Sequence, residues 1–109
     1  MLFGLFIRPI PFRAQIGQAG RPYIELPDID VGDEKAVLRA LKGMGRVRMR
    51  TKSNDFGHIT VEFRAGFDSY TLHNSSGAAF IRGEGDAEIA AMLRFMRKSR
   101  RFEELPEKK

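Results

Sequence analysis

From Gly45 to Arg82 the chain drops any helical spacing and alternates apolar with polar residues at a period of two. The segments "RVRMRTK", "HITVEFR", "SYTLH" and "AAFIR" are separated by "SNDFG", "AGFD" and "NSSG", each rich in residues that tolerate tight turns. A period of two sends successive side chains to opposite sides of a strand, so these segments predict an antiparallel meander. The registers support one another. With Thr51 opposite Ile59, Val47 meets Phe63 and Met49 meets Val61; with Arg64 opposite Ser69, Phe63 meets Tyr70 and Val61 meets Leu72. A third hairpin turning at Ser76-Gly77 sets Ile81 beside Leu72 and leaves Phe80 and Arg82 on the other face.

The flanks read differently. Pro9, Pro11, Gly17, Gly20 and Pro22 rule out a helix over residues 8 to 22 and argue for a loop, after which Tyr23 to Leu26 forms a short extended piece closed by Pro27. A helix is expected over about 33 to 42, capped by Asp30 or Asp33, striped by Val37, Leu38 and Leu41, and ended by Gly43. A second helix opens at Asp86, its expected N-cap, and lays Ile89, Met92, Leu93 and Met96 along one side. The expected fold is therefore α+β: an antiparallel three- to four-stranded β-meander with an N-terminal-side helix and a C-terminal helix packed on one face. One domain spans 1–105, its first 30 residues rich in strand and loop, and 106–109 form a charged tail.

With 109 residues, a net charge of +5 and an isoelectric point near 10.0, the chain favours anionic partners. It has no cysteine, which removes disulfides, thiolate metal sites and cysteine nucleophiles and is compatible with a cytoplasmic location. The apolar opening "MLFGLFI" is too short to span a bilayer and lacks the basic start of a signal peptide; it reads as a buried strand, or as an arm through which two copies or a partner could join. No membrane partner is expected. His58 and His73 share a face near Glu62, but two histidines outside any recognised signature, with a single carboxylate among cations, predict neither catalysis nor a metal site. "GEGD", Gly83 to Asp86, lacks the lysine and hydroxyl of a phosphate loop. No cofactor and no enzymatic activity are expected.

What the pattern does predict is a charged outer face. Arg46, Arg48, Arg50, Lys52, His58, Thr60, Glu62, Arg64, Thr71, His73, Phe80 and Arg82 all fall opposite the apolar one, six cations against the single acid Glu62. Part of that charge is ordinary solvation and protection of strand edges. The expected juxtapositions of Arg46 with Arg64 and of Lys52 with His58 are repulsive unless an anion lies between them. Phosphate matches the arginine fork, and Phe80 could either stack on a base or lie buried under the N-terminal segment. Arg94, Arg97, Lys98, Arg100 and Arg101 crowd the end of the last helix, where the dipole favours cations and Glu103 or Glu104 can pair with Arg97 or Arg100. The resulting expectation is a non-enzymatic module binding nucleic acid, DNA or RNA, through Arg46, Arg48, Arg50, Lys52, Arg64, Phe80 and Arg82, with Arg97 and Arg101 assisting. An acidic protein surface gripped by the same face, or by the N-terminal arm, is the alternative partner.

Overall fold

A computed structural model describes residues 9–27, 34–75 and 78–106. Its strands are β1 (Ile10–Ile16), β2 (Pro22–Leu26), β3 (Val47–Asp55), β4 (His58–Ala65), β5 (Asp68–Ser75), β6 (Ala78–Gly83) and β7 (Phe102–Glu104). Two helices accompany them, α1 (Glu34–Ala40) and α2 (Asp86–Lys98). All seven strands lie in one sheet, ordered β3-β4-β5-β6-β2-β1-β7.

The β4–β5 and β5–β6 hairpins form in the expected registers, but β3–β4 does not: Val47 pairs with Ala65 instead of Phe63, Met49 with Phe63 instead of Val61, and Thr51 with Glu62 instead of Ile59. The Phe56-Gly57 turn is shorter than expected and a bulge follows Met49. Ile59, Val61, Phe63 and Ala65 of β4 are buried while His58, Glu62 and Arg64 are exposed, and Arg64 pairs with Ser69 and Leu72 with Ile81. Gly66 turns β4 into β5 at φ +67°, and Phe56-Gly57 turns β3 into β4 at φ +52° and +83°. Two consecutive left-handed residues match the right-handed twist of the strands they join, although a phenylalanine is a strained occupant of the first position.

A three- to four-stranded meander is too small a description. The sheet has seven strands, and β1 and β7 run parallel, which makes it mixed. The expected loop over 8 to 22 is largely β1, which pairs with β2 from Arg13 to Ile16 and with β7 from Ile10 to Phe12. Its one proline, Pro11, escapes the usual penalty by position, and Pro9 precedes the strand. The Ile10 N–H donates to the Arg101 carbonyl and the Phe12 carbonyl accepts from the Leu105 N–H, so the intervening Pro11 nitrogen faces away from β7, on a side where β2 pairing has not begun. β7 recruits residues beyond α2 into the sheet, with Phe102 buried edge-to-face against Phe12.

Both helices cover one face. Val37, Ala40 and Leu41 from the first and Ile89, Met92 and Met96 from the second join Ile24, Leu26, Phe63, Leu72 and Ile81 in a single core. The Tyr70 hydroxyl reaches across to donate to the Glu88 carbonyl, 3.0 Å, and its burial, with Asp68 and Glu88 nearby, pushes the phenol up to about 12. The first helix does not stop at Gly43: it tightens into one 3-10 turn, Leu41–Met44, and ends at Gly45, where φ is +135°. A Cβ at Gly45 would stand 3.1 Å from the Gly66 Cα, so both backbone conformation and space call for glycine. Asp86 is the first residue of α2 and the extended Gly85 is its cap; Asp86 and Glu88 instead favour the helix by facing its positive end. The expected caps Asp30 and Asp33, the segment Leu2 to Ile7 and the turn Ser76-Gly77 lie outside the described residues.

Candidate nucleic-acid interface

The row of four cations is divided by a β-bulge. Val47 pairs with Ala65, Arg48 with Arg64 and Met49 with Phe63; the register then shifts at Arg50, so that Thr51 pairs with Glu62 and Lys52 with Val61. The extra residue reverses the alternation beyond it. Arg48 stays on the outer face, Arg50 occupies the irregularity, and Lys52 passes to the core side. Arg46 precedes the strand, exposed, its carbonyl accepting from the Gly66 N–H. The expected repulsions of Arg46 with Arg64 and of Lys52 with His58 are therefore absent; Arg48 now faces Arg64, and His58 faces Asp55.

On the core side Lys52 has a structural task. Its Nζ lies 2.6 Å from Oε1 of Glu34, a carboxylate that is only 2% exposed. Burial pushes the Glu34 carboxyl up, but the Lys52 ammonium, a backbone hydrogen bond and Lys35 outweigh it and hold the group below the usual carboxylate range. Lys52 is thus removed from the outer face by a buried charge it neutralises. Arg50 lines a small depression of about 130 Å³ together with Glu62, Ser69, Thr71 and Glu84, so two carboxylates share its surroundings.

Further into the sheet the outer face carries rings. His58 of β4, His73 of β5, Phe80 of β6 and Tyr23 of β2 follow one another across neighbouring strands, with centroid separations of 5.7, 4.8 and 5.9 Å. His73 and Phe80 stack at 24°, while Tyr23 meets Phe80 edge-on. The Arg82 guanidinium lies over both Phe80, at 5.1 Å, and Tyr23, at 5.4 Å. Burial, then His58 and Arg82, hold the His73 imidazole below its ordinary range, so it is neutral at pH 7. Phe80 lies on an interior strand rather than at an edge of the sheet and is half-buried beside its ring neighbours, while the N-terminal segment expected to cover it lies outside the described residues. Among the described residues no element covers this face. Beside this row Glu25 of β2, in register with Phe80, accepts at Oε1 from both Arg13 and Gln15 of β1 at 3.0 Å.

Arg97 and Arg101 do not join this surface, because Arg97 lies in the last turn of α2, on the other side of the sheet, and Arg101 in the connection from α2 to β7. Arg97 forms a bidentate pair with Glu104 of β7 and is raised above its ordinary range mainly by that hydrogen bond. Arg101 instead borders a shallow basin of about 500 Å³ with Arg39, Lys42 and Lys98, floored by Phe95. Tyr23 and this basin were not legible before folding: β2 reaches β6 only through a long-range pairing, and the basin unites two helices distant in sequence. No helix among the described residues is long and apolar enough to cross a membrane, and none of them forms a group of three or more metal-ligating side chains.

No protein-family model, curated protein or solved structure matches the chain.

Proposed function

We propose that the protein binds nucleic acid through the open face of its sheet, using Arg48, Arg64 and Arg82 for phosphate and the ring row of Phe80, Tyr23 and His73 for the bases. One observation carries the reading: Arg82 rests on two rings at the centre of a face that no element among the described residues covers. That combination suits a polymer offering both negative charge and flat apolar surface. Arg48 directly opposite Arg64 adds support, since like charges facing across strands are unfavourable until an anion joins them. Arg46 lies close enough in the chain to extend the same phosphate contact. No role in catalysis is included.

The test is a fluorescence-anisotropy titration of labelled oligonucleotides at several salt concentrations. Binding weakens steeply with salt in the wild type, and Arg48→Glu with Arg64→Glu lowers affinity more than about tenfold at low salt. Arg39→Glu with Lys42→Glu, in the helix-side basin, serves as the control. A result in which only the basin variant loses binding overturns the assignment to the sheet face.

A second reading has its own observation. The basin of Arg39, Lys42, Lys98 and Arg101 is lined by no carboxylate among the described residues, so an acidic protein surface fits it by charge. Failure of every oligonucleotide to bind, with basin-dependent retention of an acidic polypeptide such as polyglutamate, favours that alternative.

A further inference from the structure

The ring row also discriminates between forms of nucleic acid. We infer that the open face selects single-stranded polynucleotide over duplex, with successive bases seated along His58, His73, Phe80 and Tyr23; this rests on the nucleic-acid reading above. Four adjacent strands contribute one ring each, so the row runs across the strands and its pitch follows the spacing between them. Ring centroids stand 4.8 to 5.9 Å apart. Stacked bases in a duplex advance by about 3.4 Å and keep their faces inside the helix. They offer this row neither a matching pitch nor an accessible ring.

A single strand with its bases spread escapes both limits: its bases can lie across the outward edges of the row and on the Arg82 guanidinium plane, since His73 and Phe80 already stack on each other. Each base can be splayed from its neighbour and set against a side-chain ring or guanidinium plane, a contact indifferent to base identity because every base has a flat face. His73 contributes to this as a neutral ring, which leaves Arg82 as the cation inside the row and Arg48 with Arg64 as the cations to one side of it. The division matters: the arginines meet any polyanion, while the rings meet only exposed bases. Removing rings should therefore change the preference, and removing arginines should change the affinity for both forms.

The experiment compares a labelled 12-nucleotide single strand, as DNA and as RNA, with the duplex of the same sequence. Proteins compared are the wild type, Phe80→Leu, Tyr23→Leu and Arg48→Glu with Arg64→Glu. Leucine keeps apolar bulk at the half-buried Phe80 and Tyr23 while removing the ring, and circular dichroism checks that each variant is folded. Single strands of at least one type are expected to bind about tenfold or more tighter than duplex, and each leucine variant to lose roughly 5- to 100-fold on the single strand with little change on the duplex. Intrinsic tyrosine fluorescence gives an independent signal, because Tyr23 lies in the row while Tyr70 is buried, so single-strand binding quenches emission in the wild type and less in Tyr23→Leu. Duplex binding as tightly as the single strands, or leucine variants matching the wild type on them, overturns the inference while leaving the nucleic-acid reading intact. No binding of any oligonucleotide at low salt overturns both.

Discussion

Strands β3 and β5 are of similar length and belong to the same sheet, yet they are held by different forces. Along β5, Tyr70, Leu72 and Asn74 are buried and alternate with partly exposed residues, with a paired strand on each side. Along β3 only Val47 is even half-buried, and the strand is paired on one edge. The interior strand is stabilised by apolar burial, whereas the edge strand depends on its backbone ladder with β4, on a few contacts from Val47 and on the Lys52–Glu34 ion pair. The most charged strand of this protein therefore reaches the core side through one buried ion pair added to its ladder. Its exposed cations and its bulge also make the open edge a poor template for further strand pairing.

That contrast is broken most directly by truncation. Leu72→Ala in β5 is expected to cost about 3 kcal/mol in chemical denaturation, because a fully buried leucine leaves a cavity. Met49→Ala in β3, half-exposed, is expected to cost less than about 1 kcal/mol. Equal losses would show that β3 is packed as tightly as the interior.

Next in size is the ion pair. Lys52→Met leaves Glu34 buried and unpaired and is expected to cost about 2 kcal/mol, less than a fully buried pair would lose because the Lys52 ammonium is partly in water. The pH dependence follows from the lowered Glu34 carboxyl. The folded state holds its proton less tightly than the unfolded chain, so the pair's contribution is present above the ordinary carboxylate range and is lost as pH falls through the folded value. Between about pH 5 and pH 3 the wild type is expected to lose more stability than Glu34→Gln, measured by denaturant midpoints at each pH. Parallel curves would remove the ion pair from the account of β3.

Smaller effects concern the backbone of the same hairpin. Phe56→Asn places a residue suited to the left-handed region at φ +52° and is expected to raise the melting temperature by a few degrees, since the phenylalanine is fully exposed and gives up no burial. Deletion of Arg50 is expected to change least. Met49 would then be followed by Thr51, which already faces Glu62, so the ladder closes regularly and Lys52 still meets Glu34. A large loss on that deletion would mean that the bulge itself is required.

How far the chain could be read from its residues depended on distance along it. The β4–β5 and β5–β6 registers were legible because short turns and period-two burial specify them locally, and so was α2, whose Ile89, Met92 and Met96 all reach the core. β1 was obscured by Pro9 just before it and by Pro11 within it, whose tolerance depends on which neighbour its nitrogen faces. β7 was obscured by its brevity and its glutamates. Among the site residues, Arg48, Arg64, Phe80 and Arg82 fall on the expected face. Lys52 does not, because no glycine or other local signal marks the bulge at Arg50. Tyr23 could not be placed beside Phe80 until β2 was known to pair with β6.

The parallel pairing of β1 with β7 has a kinetic consequence. Hairpins among β3 to β6 close over tight turns, but Ile10 meets Phe102 only after nearly all of the intervening chain has been gathered in, and that long closure is rewarded by a three-residue strand. This corner is expected to assemble last and to open first while the meander stays closed. The Ile10 and Leu105 amides, which bond across it, report on that order: hydrogen exchange should release them well before those of Val61 and Leu72. In such openings α2 loses its strap at Phe102 before the core loses any of its strands, so the protein frays from its sequence-distant edge inward.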